Sequence, residues 1–183
     1  MIRHRVEWRN QGGIIMATFT AFGKEFSSER EAVIGLMDSI QVAEACAGVA
    51  IANWIETCKI PELRGGLRII AEREAFHGRV FQQRLRDLGV ECRTELDPFS
   101  IATEAAINDP HLTDLEKLTE VVERGGDPEV LLTPILTLAD SLVEDVESRE
   151  ALKLYFADEM SSATWLRDMC GKLTAQAGVA RAA

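Results

Sequence analysis

Residues 40–55 read Ile-Gln-Val-Ala-Glu-Ala-Cys-Ala-Gly-Val-Ala-Ile-Ala-Asn-Trp-Ile, and Glu44 is the only charged side chain among them. The stretch belongs to a longer stripe, Val33, Met37, Ile40, Glu44, Ala47, Ile51, Trp54 and Cys58, in alternating steps of four and three. That period lines one face of an α-helix with side chains meant for a core. A carboxylate therefore stands where a packed interior wants Leu or Ile. Burying it alone costs several kcal/mol, so it needs a partner or a metal. The helix opens at Ser28, which with Glu31 has the spacing of a capping box.

Outward from this helix, a second stripe runs Leu67, Ile70, Glu74, His77, Phe81, Leu85, Leu88 and stops at Gly89, a residue suited to a helix terminus. Only Lys59-Ile60-Pro61-Glu62 separates the two helices, and short connections join antiparallel neighbours. Residues 90–112 have no sustained period and carry Asp97-Pro98 and Asp109-Pro110, so they read as a crossover with a short helix near 99–107. From Leu112-Thr113-Asp114 the pattern resumes. Shifting the first hairpin by 85 positions lays it on residues 113–174 without a gap. Val33, Met37, Ala47, Ile51 and Cys58 then meet Leu118, Val122, Leu132, Leu136 and Val143. Leu67, Ile70, Phe81 and Leu88 meet Leu152, Tyr155, Leu166 and Leu173. The expected fold is all-α, a four-helix bundle of two antiparallel hairpins joined by a long crossover.

Under the same shift Glu44 falls on Glu129 and Glu74 on Glu159, all four on core stripes. Glu44 and Glu74 are equidistant from residue 59, and Glu129 and Glu159 from residue 144, both in or beside the loops, so all four are expected in one layer. Such a layer needs cations, and one or two divalent metals are the natural neutraliser. Glu74-Ala75-Phe76-His77 adds an imidazole one turn along on the same face.

A Glu on one helix and Glu-x-x-His on the next, repeated, resembles the ferritin-like superfamily of carboxylate di-iron proteins, over about residues 28–174. The resemblance implies Glu44, Glu74, His77, Glu129 and Glu159 as metal ligands, with Glu74 and Glu159 bridging. It implies iron or manganese, one or two ions per chain, and oxidation chemistry linked to O₂ or peroxide. It also implies Asp158, the residue before Glu159, as outer-shell partner of His77.

The sequence departs from that pattern in its second half. His77 maps onto Ser162, a poor ligand, and neither His4 nor His111 is placed to replace the missing imidazole. Arg73 stands where the second outer-shell acid belongs, so one metal position is expected to be weakened or taken by the guanidinium. Gly125-Gly126-Asp127-Pro128 precedes Glu129, predicting a helix break with Asp127 as N-cap and Pro128 in the first turn. The break displaces Glu129 or brings Asp127 in instead. Tyr155, one turn before Glu159, is expected to pack in the core with its hydroxyl on a carboxylate. These losses keep an alternative open, a non-enzymatic bundle without metal that serves assembly or partner binding. A cage-forming iron-storage subunit is a weaker third reading.

The remaining features bound the setting. A net charge of −10 over 183 residues argues against nucleic acid, since phosphate binding needs a basic surface. Cys46, Cys58, Cys92 and Cys170 form no Cys-x-x-Cys pair, which speaks against a zinc ribbon or rubredoxin-like appendage. No run of about 18 continuous apolar residues is present, so no membrane span is expected. A cytoplasmic homo-oligomer, most simply a dimer, is the default. Residues 1–26 read as an arm or extension, with Met16 as an alternative start, 27–175 as the bundle and 176–183 as a frayed tail. The run Arg79–Arg86 reads as a solvated face.

Overall fold

The computed structural model describes residues 8–11, 14–17, 19–21, 24–92 and 95–182. Six helices dominate it: α1 Glu29–Thr57, α2 Pro61–Asp87, α3 Pro98–Asn108, α4 Asp114–Gly125, α5 Pro128–Ser141 and α6 Val146–Ala182. The helical class expected from the period is therefore present. Two short antiparallel hairpins precede the helices, β1 Trp8–Gln11 with β2 Ile14–Ala17, and β3 Phe19–Ala21 with β4 Lys24–Phe26. They fall within residues 1–26, the stretch read as an arm or extension. Strands of three and four residues are too short to show a period, and β3 gains stability by packing on α1 and α5, where Phe19 is buried.

Helix ends follow local chemistry. The Ser28 side chain accepts from Glu31 N, as expected, but the Glu31 carboxylate takes Ser27 N and Oγ, one residue earlier than a capping box requires. At the end of α2, Gly89 adopts φ 72° while Val90 N–H donates to Leu85 O and Gly89 N–H to Arg86 O. Only the left-handed residue allows that closure. Asp127 caps α5 by accepting from Glu129 N, Pro128 stands in the first turn, and Gly126 sits at φ 54°. The third long helix is thus two helices, α4 and α5.

α1 packs along α2, and α6 along α4, α5 and part of α2, while α3 lies against α1 and α4. The interior has two hydrophobic clusters. One gathers Val33, Met37, Ile40, Phe81, Leu85, Leu138 and Leu152, and the other Ile51, Trp54, Leu63, Leu67, Leu118 and Leu173. Along α1, α2 and α6 the residues between the clusters are Glu44, then Glu74 and His77, then Glu159 and Ser162. A polar layer divides the core. By length and mean hydropathy α1 would also cross a membrane, but half of its apolar window is buried inside this molecule.

Long-range polar ties hold the ends. Asp114 accepts from Trp54 Nε1 at 2.9 Å and Lys59 N at 2.8 Å, fixing α4 to the α1–α2 loop. The Glu29 carboxylate accepts from the backbone N–H groups of Val143, Glu144 and Asp145. Val143, matched to Cys58 by the 85-residue shift, is therefore a loop residue and exposed. Arg84, read as part of a solvated face, is instead a clamp, donating to Ser148 Oγ, Glu147 Oε2 and Asp145 Oδ1 at 2.7–2.9 Å. Replacing it with alanine should cost about 2–3 kcal/mol in urea unfolding, because it strands half-buried acceptors. Burial raises the Asp145 carboxyl, but bonds from Ser148 and Arg84 outweigh that and hold it below its ordinary value. A depressed carboxyl contributes stability above its unfolded pKa and loses it as pH falls through the folded one. The gap between wild type and Arg84→Ala should therefore shrink on going from pH 6 to pH 3. A constant gap would mean that the Asp145 pairing adds nothing.

Candidate metal centre

Close approach of α1 and α2 sets the site. A Cβ built on Gly78 would lie 3.0 Å from Ala45 N, and one on Gly48 3.1 Å from Ala75 N. With no side chain at either point the backbones nearly touch beside Glu44 and His77, each the neighbour of a contact residue. α6 closes the third side with Tyr155, Asp158, Glu159 and Ser162.

His77, 4% exposed, is the centre. Its Nε2 faces Asp158 Oδ2 at 3.2 Å. Its Nδ1 faces inward, 3.3 Å from Glu159 Oε1 and 3.7 Å from Glu44 Oε2. Glu44 is anchored through its other oxygen, which accepts from Tyr155 Oη at 2.7 Å, and the phenol also stands edge-on to the imidazole at 5.0 Å between centroids. The three inward atoms, Glu44 Oε2, His77 Nδ1 and Glu159 Oε1, are the buried side-chain polar atoms without a hydrogen-bond partner among the described residues. They lie within 4.8 Å of one another. Donors held about 2.1 Å from one ion stand roughly 3.0–3.5 Å apart in octahedral or tetrahedral coordination. The spacing of these atoms fits an ion with small adjustments.

Glu74 is buried beside Glu44. Burial, then the neighbouring Glu44 charge, pushes its carboxyl well above the usual range. Burial raises Glu159 as well, opposed by His77. For His77, burial of the ring disfavours the cation, but the carboxylates of Glu159, Glu44 and Asp158 outweigh it and raise the pKa to about 10. Without a metal, the proton on His77 is the positive charge that these acids surround. Burial raises the Tyr155 phenol, and Glu44 and Glu159 add to the effect.

Not every expected residue arrives. Glu129 is exposed in the first turn of α5, and Asp127 spends its side chain capping that helix. The helix break resets the helical phase, so the 85-residue register fails at Glu129. Ser162 is buried and accepts from Arg73 Nη1 at 3.2 Å, with Ser161 Oγ 3.5 Å from the same nitrogen. A guanidinium therefore stands at the position that matches His77. His111 is exposed, and His4 is outside the described residues. All four cysteines are free thiols, with Cys58 buried and Cys46 only half-buried.

The chain matches no protein-family model, no curated protein and no solved structure at a significant level.

Proposed function

We propose that this chain is a degenerate ferritin-like metalloprotein that holds one ion per chain in the Glu44–His77–Glu159 cluster. The observation that carries the reading is the convergence of one imidazole and two carboxylate atoms, all buried and within 4.8 Å of one another, between the two apolar clusters. On this reading α1 and α2 form one hairpin of a four-helix bundle, and α4–α5 with α6 form the other. Imidazole and carboxylate donors suit iron or manganese, which would supply redox chemistry toward O₂ or peroxide.

The chain's own residues have separable tasks in that reading. Asp158 accepts from Nε2–H of His77, which leaves the Nδ1 lone pair directed at the ion. Tyr155 fixes one oxygen of Glu44 and leaves the other for coordination. Glu74 lies outside the three-atom cluster and would be a fourth donor only after losing its proton. Arg73, bonded to Ser162, fills the second position with fixed charge, so a second ion is not expected.

Elemental analysis of full-length protein reconstituted anaerobically with Fe(II) or Mn(II) should find about one ion per chain. Fewer than about 0.2, unchanged by Glu159→Ala, would reject the reading. Asp158→Asn should weaken metal affinity about 10- to 100-fold, as loss of an outer-shell acid does elsewhere. Unaltered affinity would show that His77 does not depend on Asp158.

A second reading is favoured by the same Arg73–Ser162 pair and by the outward Glu129. It makes the cluster a metal-free charge network, with protonated His77 as its cation, in a bundle used for assembly. On that reading Fe(II) leaves both metal content and stability unchanged.

A further inference from the structure

A cavity of about 410 Å³ lies against the candidate centre, between α1, the start of α3, α5 and β4. Its size falls within the roughly 300–1,000 Å³ typical of small-molecule sites. Phe26, Leu36, Ile40, Leu132 and Ile135 supply much of its apolar wall, and Glu44 and Tyr155 belong to the same wall. A second hollow of about 170 Å³ shares Ala43, Glu44, Phe99 and Ser100 with it. An occupant of either space therefore lies against the carboxylate proposed to bind the ion.

The polar groups of the larger cavity limit what fits. Asp97 is committed to capping α3, accepting from Phe99 N, Ser100 N and Ser100 Oγ. Ser39 donates to Gly35 O, and Tyr155 to Glu44. Lys24, the one cation in the lining, is exposed, while the buried charge is the Glu44 carboxylate. An anion seated beside Glu44 would be repelled by it, away from the exposed Lys24, and desolvating an unpaired charge is costly. An uncharged chain instead gains about 25 cal/mol for each Å² of apolar surface removed from water. A single hydroxyl on such a chain can still donate to Glu44.

We propose that this cavity binds a neutral, mainly apolar organic molecule, of the class of a medium-chain alcohol, with its polar end against Glu44 and Tyr155. The proposal rests on the metal reading in making this molecule the organic ligand of the centre. The walls themselves choose neutral over charged.

Calorimetric titration of the full chain with octan-1-ol, and with octanoate as the charged control, tests it. Octan-1-ol should bind at least about tenfold more tightly than octanoate, given the cost of burying the carboxylate. Ala43→Leu and, separately, Leu131→Trp at the half-exposed edge of the cavity should each weaken octan-1-ol binding about tenfold, because they fill the space. Both should leave metal content unchanged. In Co(II)-loaded protein, octan-1-ol should shift the visible absorption of the ion. Metal uptake without octan-1-ol binding, equal binding by the two filled variants, or a preference for octanoate would overturn this proposal alone. Octan-1-ol binding by a protein that takes up no metal would support the neutral ligand class and overturn the metal reading.

Discussion

Anaerobic Fe(II) or Mn(II) is expected to raise the melting temperature of the chain by roughly 8–16 °C when present at about a thousand times its Kd. The magnitude follows from mass action. An ion that binds only the folded state contributes about 4 kcal/mol at that excess, and each kcal/mol moves a domain of this size by about 2–4 °C. The ion would take the place of the His77 proton as the cation facing Glu44 Oε2 and Glu159 Oε1. Glu159→Gln keeps the shape of the side chain and removes its charge, so it should abolish most of the shift while the protein still folds. A shift below about 1 °C would mean that the folded chain binds no ion, and an equal shift in Glu159→Gln that the ion binds elsewhere.

Gly78→Val should destabilise the protein by about 3 kcal/mol. The Cβ that any other residue brings would lie 3.0 Å from Ala45 N and 3.2 Å from Ala45 Cα and Cβ. Backbone cannot yield as a flexible side chain does. For Gly78→Ala, a gain of about 1 kcal/mol in helix propensity offsets much of the strain. The branched methyls of valine force α1 and α2 apart beside Glu44 and His77, so metal affinity should fall with stability. Gly65, also in α2, has nothing within 4 Å of its position, and Gly65→Ala should stabilise by about 0.5–1 kcal/mol. Urea unfolding of the three variants decides the matter. Equal destabilisation by Gly78→Val and Gly65→Ala would show that helix contact at Gly78 does not define the site.

The parts legible in the sequence are those governed by local chemistry or a single helical phase. The stripes through Glu44 and through Glu74 and His77 predicted buried polar residues on α1 and α2, and all three are buried. Gly89 and Asp127 act at the predicted helix ends, because a left-handed terminus and an N-cap are properties of a few adjacent residues. Of the two outcomes expected from the helix break, the outward Glu129 is the one present, because phase cannot be carried through Gly126, where the chain breaks and restarts. The Arg84 clamp and the Glu29 carboxylate under the α5–α6 loop have no periodic signature, since both join residues more than sixty positions apart. β1–β4 are too short to show alternation, and the cavity beside Glu44 exists only once β4, α3 and α5 are assembled around α1.

Crystals of the full chain grown anaerobically with Fe(II), with anomalous diffraction recorded at the iron edge, test the central claim most directly. The account predicts one strong peak about 2.0–2.3 Å from His77 Nδ1 and from one carboxylate oxygen each of Glu44 and Glu159. No peak between α1, α2 and α6, or density only at surface acids such as Glu129, would contradict it.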